Sequence, residues 1–218
     1  MYPPSAVGMP PYRPRLGGMA GDDDRSIHEV LAGGADFHEL AAYLDGLPPG
    51  ERVRRVRDLA KPEQARLFDM AQGVRPIGLD DVAPPGRGPL EEVVHAGRNS
   101  LPVFRIFEKR FCRAPEGDVL WGYNEHSARW MTGPGYFVAR AGEPGEVLID
   151  YGQVPPDKPD SWPAIRPNSA VRGRFVYGGM QDVLRGVSGH VTAGRAFKGG
   201  KPMDNWFVLC RVDPSPGA

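Results

Sequence analysis

Polar side chains are concentrated between residues 174 and 198, where arginine, tyrosine, aspartate and histidine are interspersed with five glycines. His190 stands in this stretch, and Asp182 precedes it. An imidazole titrates near neutral pH and is the commonest proton carrier in enzymes, and a carboxylate can orient it. We therefore take His190 and Asp182 as the candidate catalytic pair. The sequence leaves open whether the protein is an enzyme.

Arg195 lies within residues 190–197, a segment whose alternation and composition are typical of a β-strand. The apolar residues that share its face are Val191, Ala193 and Phe197. Because arginine keeps its charge, a buried Arg195 needs a carboxylate such as Asp182 or Asp150, or an anionic ligand. The alternative is that Arg195 stands at the strand end, where its guanidinium reaches water.

Aromatic side chains with polar tips are frequent between residues 121 and 136. Such side chains suit the mouth of a β-barrel or a cleft. Together with the arginines of residues 174–198, they predict a pocket with aromatic walls and cationic anchors. The candidate ligand-binding residues are Tyr123, Trp130, Tyr177, Arg185 and Arg195. The alternative is that these side chains form the ordinary core and rim of a small sheet.

Motifs that would identify a metal or a cofactor are absent. The five histidines are scattered, and no Cys-x-x-Cys, His-x-His or His-Glu-x-x-His occurs, so no metal site is predicted. Neither a P-loop nor a dinucleotide-binding glycine motif is found, which leaves the cofactor unknown. Residues 186–189 are one residue short of a serine nucleophile elbow. Cys112 and Cys210 have apolar neighbours, as buried structural cysteines do.

The composition excludes several classes of protein. The 27 basic and 27 acidic residues balance, which disfavours nucleic-acid binding through bulk charge. Two cysteines cannot form a disulfide-rich scaffold, and 29 glycines with 24 prolines exclude a coiled coil. No apolar run approaches the roughly 18 residues of a membrane-spanning helix. These features predict a soluble globular protein without a membrane partner.

Residues 1–85 are expected to form a leader and a small helical region. Residues 1–25 are rich in proline and glycine and lack the pattern of an export signal, so we predict a disordered leader and a cytoplasmic location. Residues 26–85 are predicted to be helical, because Ser26 and Glu29 fit a capping box and apolar residues recur at helical spacing up to residue 72. Residues 74–89 are the best linker candidate.

Residues 86–218 are predicted to contain a helix followed by strands. Phe104, Phe107 and Phe111 recur at helical spacing, which predicts a helix over residues 100–113 with a basic second face. One or two helical turns are expected at residues 90–97. Six later segments are rich in β-branched and aromatic residues; turn signals separate several of them, and a long surface loop or lid is expected over residues 152–173. They are residues 119–124, 135–140, 146–151, 174–180, 190–197 and 205–212.

These patterns predict an α+β fold. Short N-terminal helices are followed by a mainly antiparallel β-sheet or partly closed β-barrel with a covering helix. The predicted function is small-molecule binding, with a small anionic or aromatic ligand in the aromatic pocket. The alternative is a non-enzymatic interaction or scaffolding protein, whose partner binds residues 26–85 and the proline-rich loops. Nucleic-acid binding through the basic face of the predicted helix ranks last.

Overall fold

The computed structural model describes residues 25–103, 105–127, 129–166, 168 and 178–213. Eight strands of this part pair only in antiparallel fashion, each with the next along the chain, and β1 closes the barrel against β8. The strands are β1 Val93–Asn99, β2 Ile106–Arg113, β3 Leu120–Glu125, β4 Phe137–Ala141, β5 Val147–Asp150, β6 Met180–Gly186, β7 Val191–Lys198 and β8 Lys201–Val212. The predicted α+β fold with an antiparallel barrel is therefore confirmed, and the barrel is fully closed.

Most of the predicted helical region is found as short helices. They are α1 Ile27–Ala32, α2 Phe37–Gly46, α3 Pro49–Asp58, α4 Lys61–Met70 and α5 Leu79–Val82, and a further short helix, α6 Arg129–Thr132, connects β3 to β4. The capping box of Ser26 and Glu29 starts α1 as predicted, and Asp36 with Glu39 starts α2 in the same way. Each cap satisfies backbone N–H groups that the first helical turn leaves unpaired. Helix α5 lies inside the segment that was expected to be a linker.

The helices cover part of the outer face of the barrel. Apolar side chains of α1 to α4 pack in one cluster with buried side chains of β7 and β8 and of the turn before β7. The barrel residues of this cluster are Val187, Val191, Ala193, Val208 and Cys210. Helices this short are marginal alone, so their stability depends on this packing. The outward-facing side chains of β7 and β8 that lie in this cluster are apolar for the same reason.

Phenylalanines and glycines alternate across the barrel interior. In four cross-strand pairs a glycine stands directly opposite a phenylalanine, and in three of them the ring occupies the space that a side chain on the glycine would need. These three are Gly97 with Phe107, Gly122 with Phe137, and Gly194 with Phe207, and the fourth is Gly122 with Phe111. A Cβ atom at Gly194 would lie 2.2 Å from the ring of Phe207, far inside van der Waals contact. An eight-stranded barrel has an interior just wide enough for its own side chains, which makes this pairing necessary.

The helix predicted over residues 100–113 is wrong, and so are the helical turns predicted at residues 90–97. Both segments are strands, β1 and β2. On β2 the interior positions are Phe107, Lys109 and Phe111. The lysine between two phenylalanines hides the two-residue alternation of a strand, so the spacing of the aromatic residues alone was taken for a helical stripe. The predicted basic face does not exist, because Lys109 points into the barrel.

The two ends of the barrel are built differently. At one end, called the α5 end, Arg211 donates to the backbone oxygen of Asp81 and the His95 ring bonds to that of Val82. The other end, called the loop end, is where β1, β3, β5 and β7 end and where β2, β4, β6 and β8 begin. Within the described ranges, none of the helices has the length and apolar character needed to cross a membrane.

The glycine–phenylalanine pairing predicts the effect of a single methyl group. We expect Gly122→Ala to lower the free energy of unfolding by about 1–3 kcal/mol, because overpacking displaces Phe137 and the backbone of Arg110. Urea denaturation measures the change. The matched control is Gly46→Ala at the end of α2, where an added Cβ meets nothing within 4 Å. A Gly122→Ala protein as stable as the wild type would refute the packing argument.

Candidate functional site

Those predicted ligand-binding residues that the structure describes point away from the barrel interior. Tyr123 lies on the outer face of β3, where its ring centroid is 4.9 Å from that of Trp162. Trp130 stands on α6 and is 79% exposed. Tyr177 lies outside the described residues. The aromatic residues around Tyr123 thus pack against one another and under the connection that contains Trp162.

The two predicted arginines also lie on the outer face, and each has its own partners. The guanidinium of Arg185 bonds Glu146 at 2.7 Å and stacks on the ring of Phe68, at the edge of a cleft of about 360 Å³. Arg195 lies over the ring of Trp206 and donates to the backbone oxygen of Met203 at 3.1 Å. The alternation predicted for β7 is correct, but the face that carries Arg195 is the outer one. Its charge is held by a ring and a carbonyl rather than by a carboxylate.

The structure does not bring His190 and Asp182 together. His190 lies in the turn between β6 and β7 at the α5 end, where its Nδ1 is 2.6 Å from a carboxylate oxygen of Asp213. Asp182 is opposite Ala196 on β7, six residues further along that strand, or roughly 20 Å away at the rise of a β-strand. In the structure the carboxylate that holds the His190 ring is therefore Asp213, and Asp182 has a different partner.

That partner is Lys109, inside the barrel. The Lys109 Nζ atom is 3.0 Å from the carboxylate of Asp182, and both side chains are almost fully buried, at 2% and 3% exposed. Lys109 lies on β2 and Asp182 on β6, which are opposite each other in an eight-stranded ring. The ion pair therefore spans the barrel. Sequence analysis selected Asp182 but missed Lys109.

Two further polar side chains complete what we call the Lys109 cluster, consisting of Lys109, Asn124, Tyr151 and Asp182. The Lys109 ammonium donates to Asn124 Oδ1 at 2.9 Å and to the Tyr151 hydroxyl at 2.5 Å. The Tyr151 hydroxyl in turn donates to Asp182 at 3.0 Å. Each N–H of the ammonium thus has an acceptor, which is the condition for burying a charge.

Aromatic rings enclose the ammonium. The rings of Phe137, Tyr151 and Phe207 have their centroids 5.0–5.1 Å from Lys109 Nζ, and that of Phe107 lies at 5.8 Å. Ring faces attract a cation, and this attraction is stronger where water is absent. Burial nevertheless lowers the pKa of Lys109 below its usual range, against the opposing effect of the Asp182 carboxylate. The site therefore holds an amine that loses its proton more readily than a surface lysine.

The Lys109 cluster is close to the loop end. Asn124 is the last residue but one of β3, Tyr151 directly follows β5, and Asp182 is the third residue of β6. At about 3.3 Å per residue, the cluster lies roughly 7 Å below the ends of the strands. Exposed apolar side chains lie on the β1–β2 and β3–β4 sides of this end. They are Leu101, Val103, Ile106 and Trp130, and we call them the loop-end rim.

His95 is the second buried titratable group in the barrel. Its Nε2 atom lies 2.8 Å from the backbone oxygen of Val82, while Nδ1 is buried without a hydrogen-bond partner. Burial lowers the pKa of His95 to about 4. The ring is therefore neutral at physiological pH and holds α5 on the barrel. The Lys109 cluster, in contrast, contains an amine, a carboxylate and a hydroxyl in contact, and thus has the groups for proton transfer.

The cysteines and the metal-ligating side chains add no second site. Burial raises the pKa of Cys112 and of Cys210 to about 12, so both thiols stay protonated. Over the part of the chain that the structure describes, no three His, Cys, Asp or Glu side chains are grouped so that they could hold a metal ion. In comparisons with known proteins, no family model matches the chain and no curated protein is significantly similar to it.

The buried ion pair predicts a difference between single and double substitutions. Lys109→Met leaves the Asp182 carboxylate buried without its cation, so we expect it to lower the free energy of unfolding by about 3–5 kcal/mol. Lys109→Met combined with Asp182→Asn leaves no buried charge and should recover most of that loss. Urea denaturation measures both. As a control, Lys61→Met breaks an exposed pair with Asp204 and should cost about 0–1 kcal/mol. Equal losses in the Lys109 single and double variants would contradict the assignment.

The pKa of His95 predicts how stability depends on pH. Between pH 6.5 and 4 the unfolded chain binds a proton at His95 and the native protein does not, so stability falls as the pH is lowered through this range. At 1.4 kcal/mol per pKa unit, the lowered pKa of His95 accounts for a loss of about 3 kcal/mol in the free energy of unfolding across this range. His95→Gln can still donate to Val82 and should flatten the profile in this window. The exposed His38→Gln should not. The prediction fails if His95→Gln keeps the wild-type slope.

Proposed function

We propose that the protein binds a small, neutral molecule at the loop end of its barrel, with the Lys109 cluster as the polar anchor. The observation that carries this proposal is the placement of a charge-balanced, hydrogen-bonded ion pair under aromatic rings, close to one end of the barrel. The ligand is expected to combine an apolar, preferably aromatic, body with a carbonyl or hydroxyl group.

The energetics of the ion pair favour a function over a purely structural role. Removing two charges from water costs several kcal/mol per ion, and well-packed apolar residues at the same positions are often at least as stable. The rest of the interior is built in that apolar way, from phenylalanine, leucine, valine and isoleucine. A perturbed lysine with a specific charge partner is also typical of functional sites.

The charge balance of the cluster indicates a neutral ligand group. Lys109 is already neutralised by Asp182, so an anionic ligand would bring an uncompensated negative charge into the barrel. A carbonyl or hydroxyl oxygen can accept from Lys109 or from the amide of Asn124 without that cost, and a hydroxyl can donate to Asp182. Of the two ligand types expected from sequence, the aromatic one is retained and the anionic one is not.

The loop-end rim also supports ligand binding at this end of the barrel. Trp130 at 79% and Val103 at 56% exposure are large apolar side chains left in water at the end nearest the cluster. Exposed apolar groups that collect at one place mark binding sites. The alternative, a protein partner through residues 26–85, has less support, because α1 to α4 use their apolar side chains to pack on β7 and β8.

Two probes with the same ring system and different polar groups test the proposal. We expect 2-naphthalenemethanol to bind the full-length protein, and 2-naphthoate to bind at least tenfold more weakly because it is anionic. Isothermal titration calorimetry measures both, and native mass spectrometry of the purified protein shows whether a neutral ligand is already bound. The double variant Lys109→Met, Asp182→Asn should lose at least tenfold in affinity for the alcohol. The exposed-pair control Lys61→Met, Asp204→Asn should bind like the wild type.

Two results would overturn the proposal. Tighter binding of the naphthoate would show that the anchor is cationic rather than neutral. Equal binding of the alcohol by both double variants would place the site elsewhere on the protein.

A further inference from the structure

We propose that Lys109 forms a reversible imine with an aldehyde or ketone ligand, so that the binding site is also a covalent carbonyl-capture site. This inference rests on the proposed ligand site at the loop end and specifies the chemical class of its ligand. It is drawn from an amine, a phenol and a carboxylate in mutual hydrogen-bond contact near the loop end, with aromatic rings around the amine.

Lys109 differs from every other lysine of the chain. There are four others, Lys61, Lys158, Lys198 and Lys201. Lys198 and Lys201 are exposed, and Lys61 and Lys158 are partly exposed. An ammonium in water is protonated almost completely at neutral pH and has no lone pair for attack. Lys109 alone is surrounded by low-dielectric rings, and burial shifts its pKa in the direction that increases the share of free amine.

Asp182 and Tyr151 are placed to carry the protons that imine formation requires. The ammonium of Lys109 first passes a proton to Asp182, 3.0 Å away. The free amine attacks the carbonyl carbon, a C–N bond forms, and a proton moves from nitrogen to the former carbonyl oxygen through the Tyr151 hydroxyl. Asp182 then returns its proton to that hydroxyl group, which leaves as water. Ammonium and carbonyl thus give a protonated imine and one water, with no oxidant or reductant.

The protonated imine fits the electrostatics of the site as well as the Lys109 ammonium does. The protonated imine carries the same single positive charge that Lys109 carries before reaction, so Asp182 remains neutralised. The rings of Phe137 and Phe207 that face the ammonium also face the iminium nitrogen. Exclusion of water slows hydrolysis, the reverse reaction. Asn124 can hold the carbonyl oxygen through its amide, which also bonds the Tyr151 hydroxyl at 3.1 Å.

Reductive trapping tests the inference on the wild-type, full-length protein. The protein is incubated at pH 7 with 2-naphthaldehyde and sodium cyanoborohydride, which reduces an imine to a stable secondary amine. Peptide mass spectrometry then gives the rate of labelling at each lysine. We expect Lys109 to be labelled at least tenfold faster than Lys61, Lys158, Lys198 or Lys201, and 2-naphthalenemethanol to compete with this labelling but not with labelling of the other four.

Variants separate proton transfer from binding. Tyr151→Phe keeps the ring and removes the hydroxyl, so it should slow labelling of Lys109 at least tenfold and flatten the pH dependence of the labelling rate. Lys61→Met should label at Lys109 at the wild-type rate. A purely structural Tyr151 would leave both the labelling rate and its pH profile unchanged, and that result would contradict the assigned proton relay.

The two proposals fail in distinguishable ways. If 2-naphthalenemethanol binds in the manner expected above and Lys109 is labelled no faster than the surface lysines, imine formation is overturned and the binding site stands. If the alcohol does not bind and Lys109 is not labelled preferentially, both proposals are overturned. Preferential labelling of Lys109 that the alcohol does not suppress supports imine formation and contradicts the neutral-anchor site.

Discussion

Closure of the barrel is the constraint on which the rest of the structure depends. Once β1 pairs with β8, every strand has one side chain in two directed into a space of fixed width. Phenylalanines fill that space only where a glycine stands opposite. The outer face of β7 and β8 then becomes the surface on which the N-terminal helices pack. Core composition, glycine placement and helix docking all follow from the same closure.

Within this closed interior, charged side chains lie at only one level along the barrel axis. Lys109 and Asp182 lie on opposite strands, and Asn124 and Tyr151 supply the remaining hydrogen bonds. Toward the α5 end the interior changes to leucine, isoleucine and phenylalanine, with His95 neutral against α5. The barrel interior thus has a polar, charged level and an apolar level. The polar level lies next to the loop end, where we propose that the ligand binds.

The sequence was informative where local rules determine structure. The capping box of Ser26 and Glu29 located α1, and the β-branched and aromatic residues of 205–212 located β8, because caps and strand propensity depend on near neighbours. Prediction failed at β2, where a charged residue occupies a core position. Lys109 breaks the apolar alternation, and its partners come from β3, β5 and β6, which only the barrel topology brings together. The same topology directs Tyr123, Arg185 and Arg195 outward. Alternation along one strand shows which residues share a face, but not which of the two faces is the interior. One feature of the sequence does indicate the interior position of Lys109. Phe107, Lys109 and Phe111 follow one another at every second position, as the side chains on one face of a strand do.

The packing of the helices on β7 and β8 has a consequence for the order of folding. The helices are made first on the ribosome, while the strands that cover their apolar side chains are made last. The closing pair, β1 with β8, joins segments more than one hundred residues apart. Contacts of such long range make folding slow, and they keep the apolar sides of α1 to α4 in water until β8 is complete. The apolar residues of the α1–α4 segment thus stay uncovered during synthesis, and the chain depends on β8 both to close the barrel and to provide the surface on which these helices become stable.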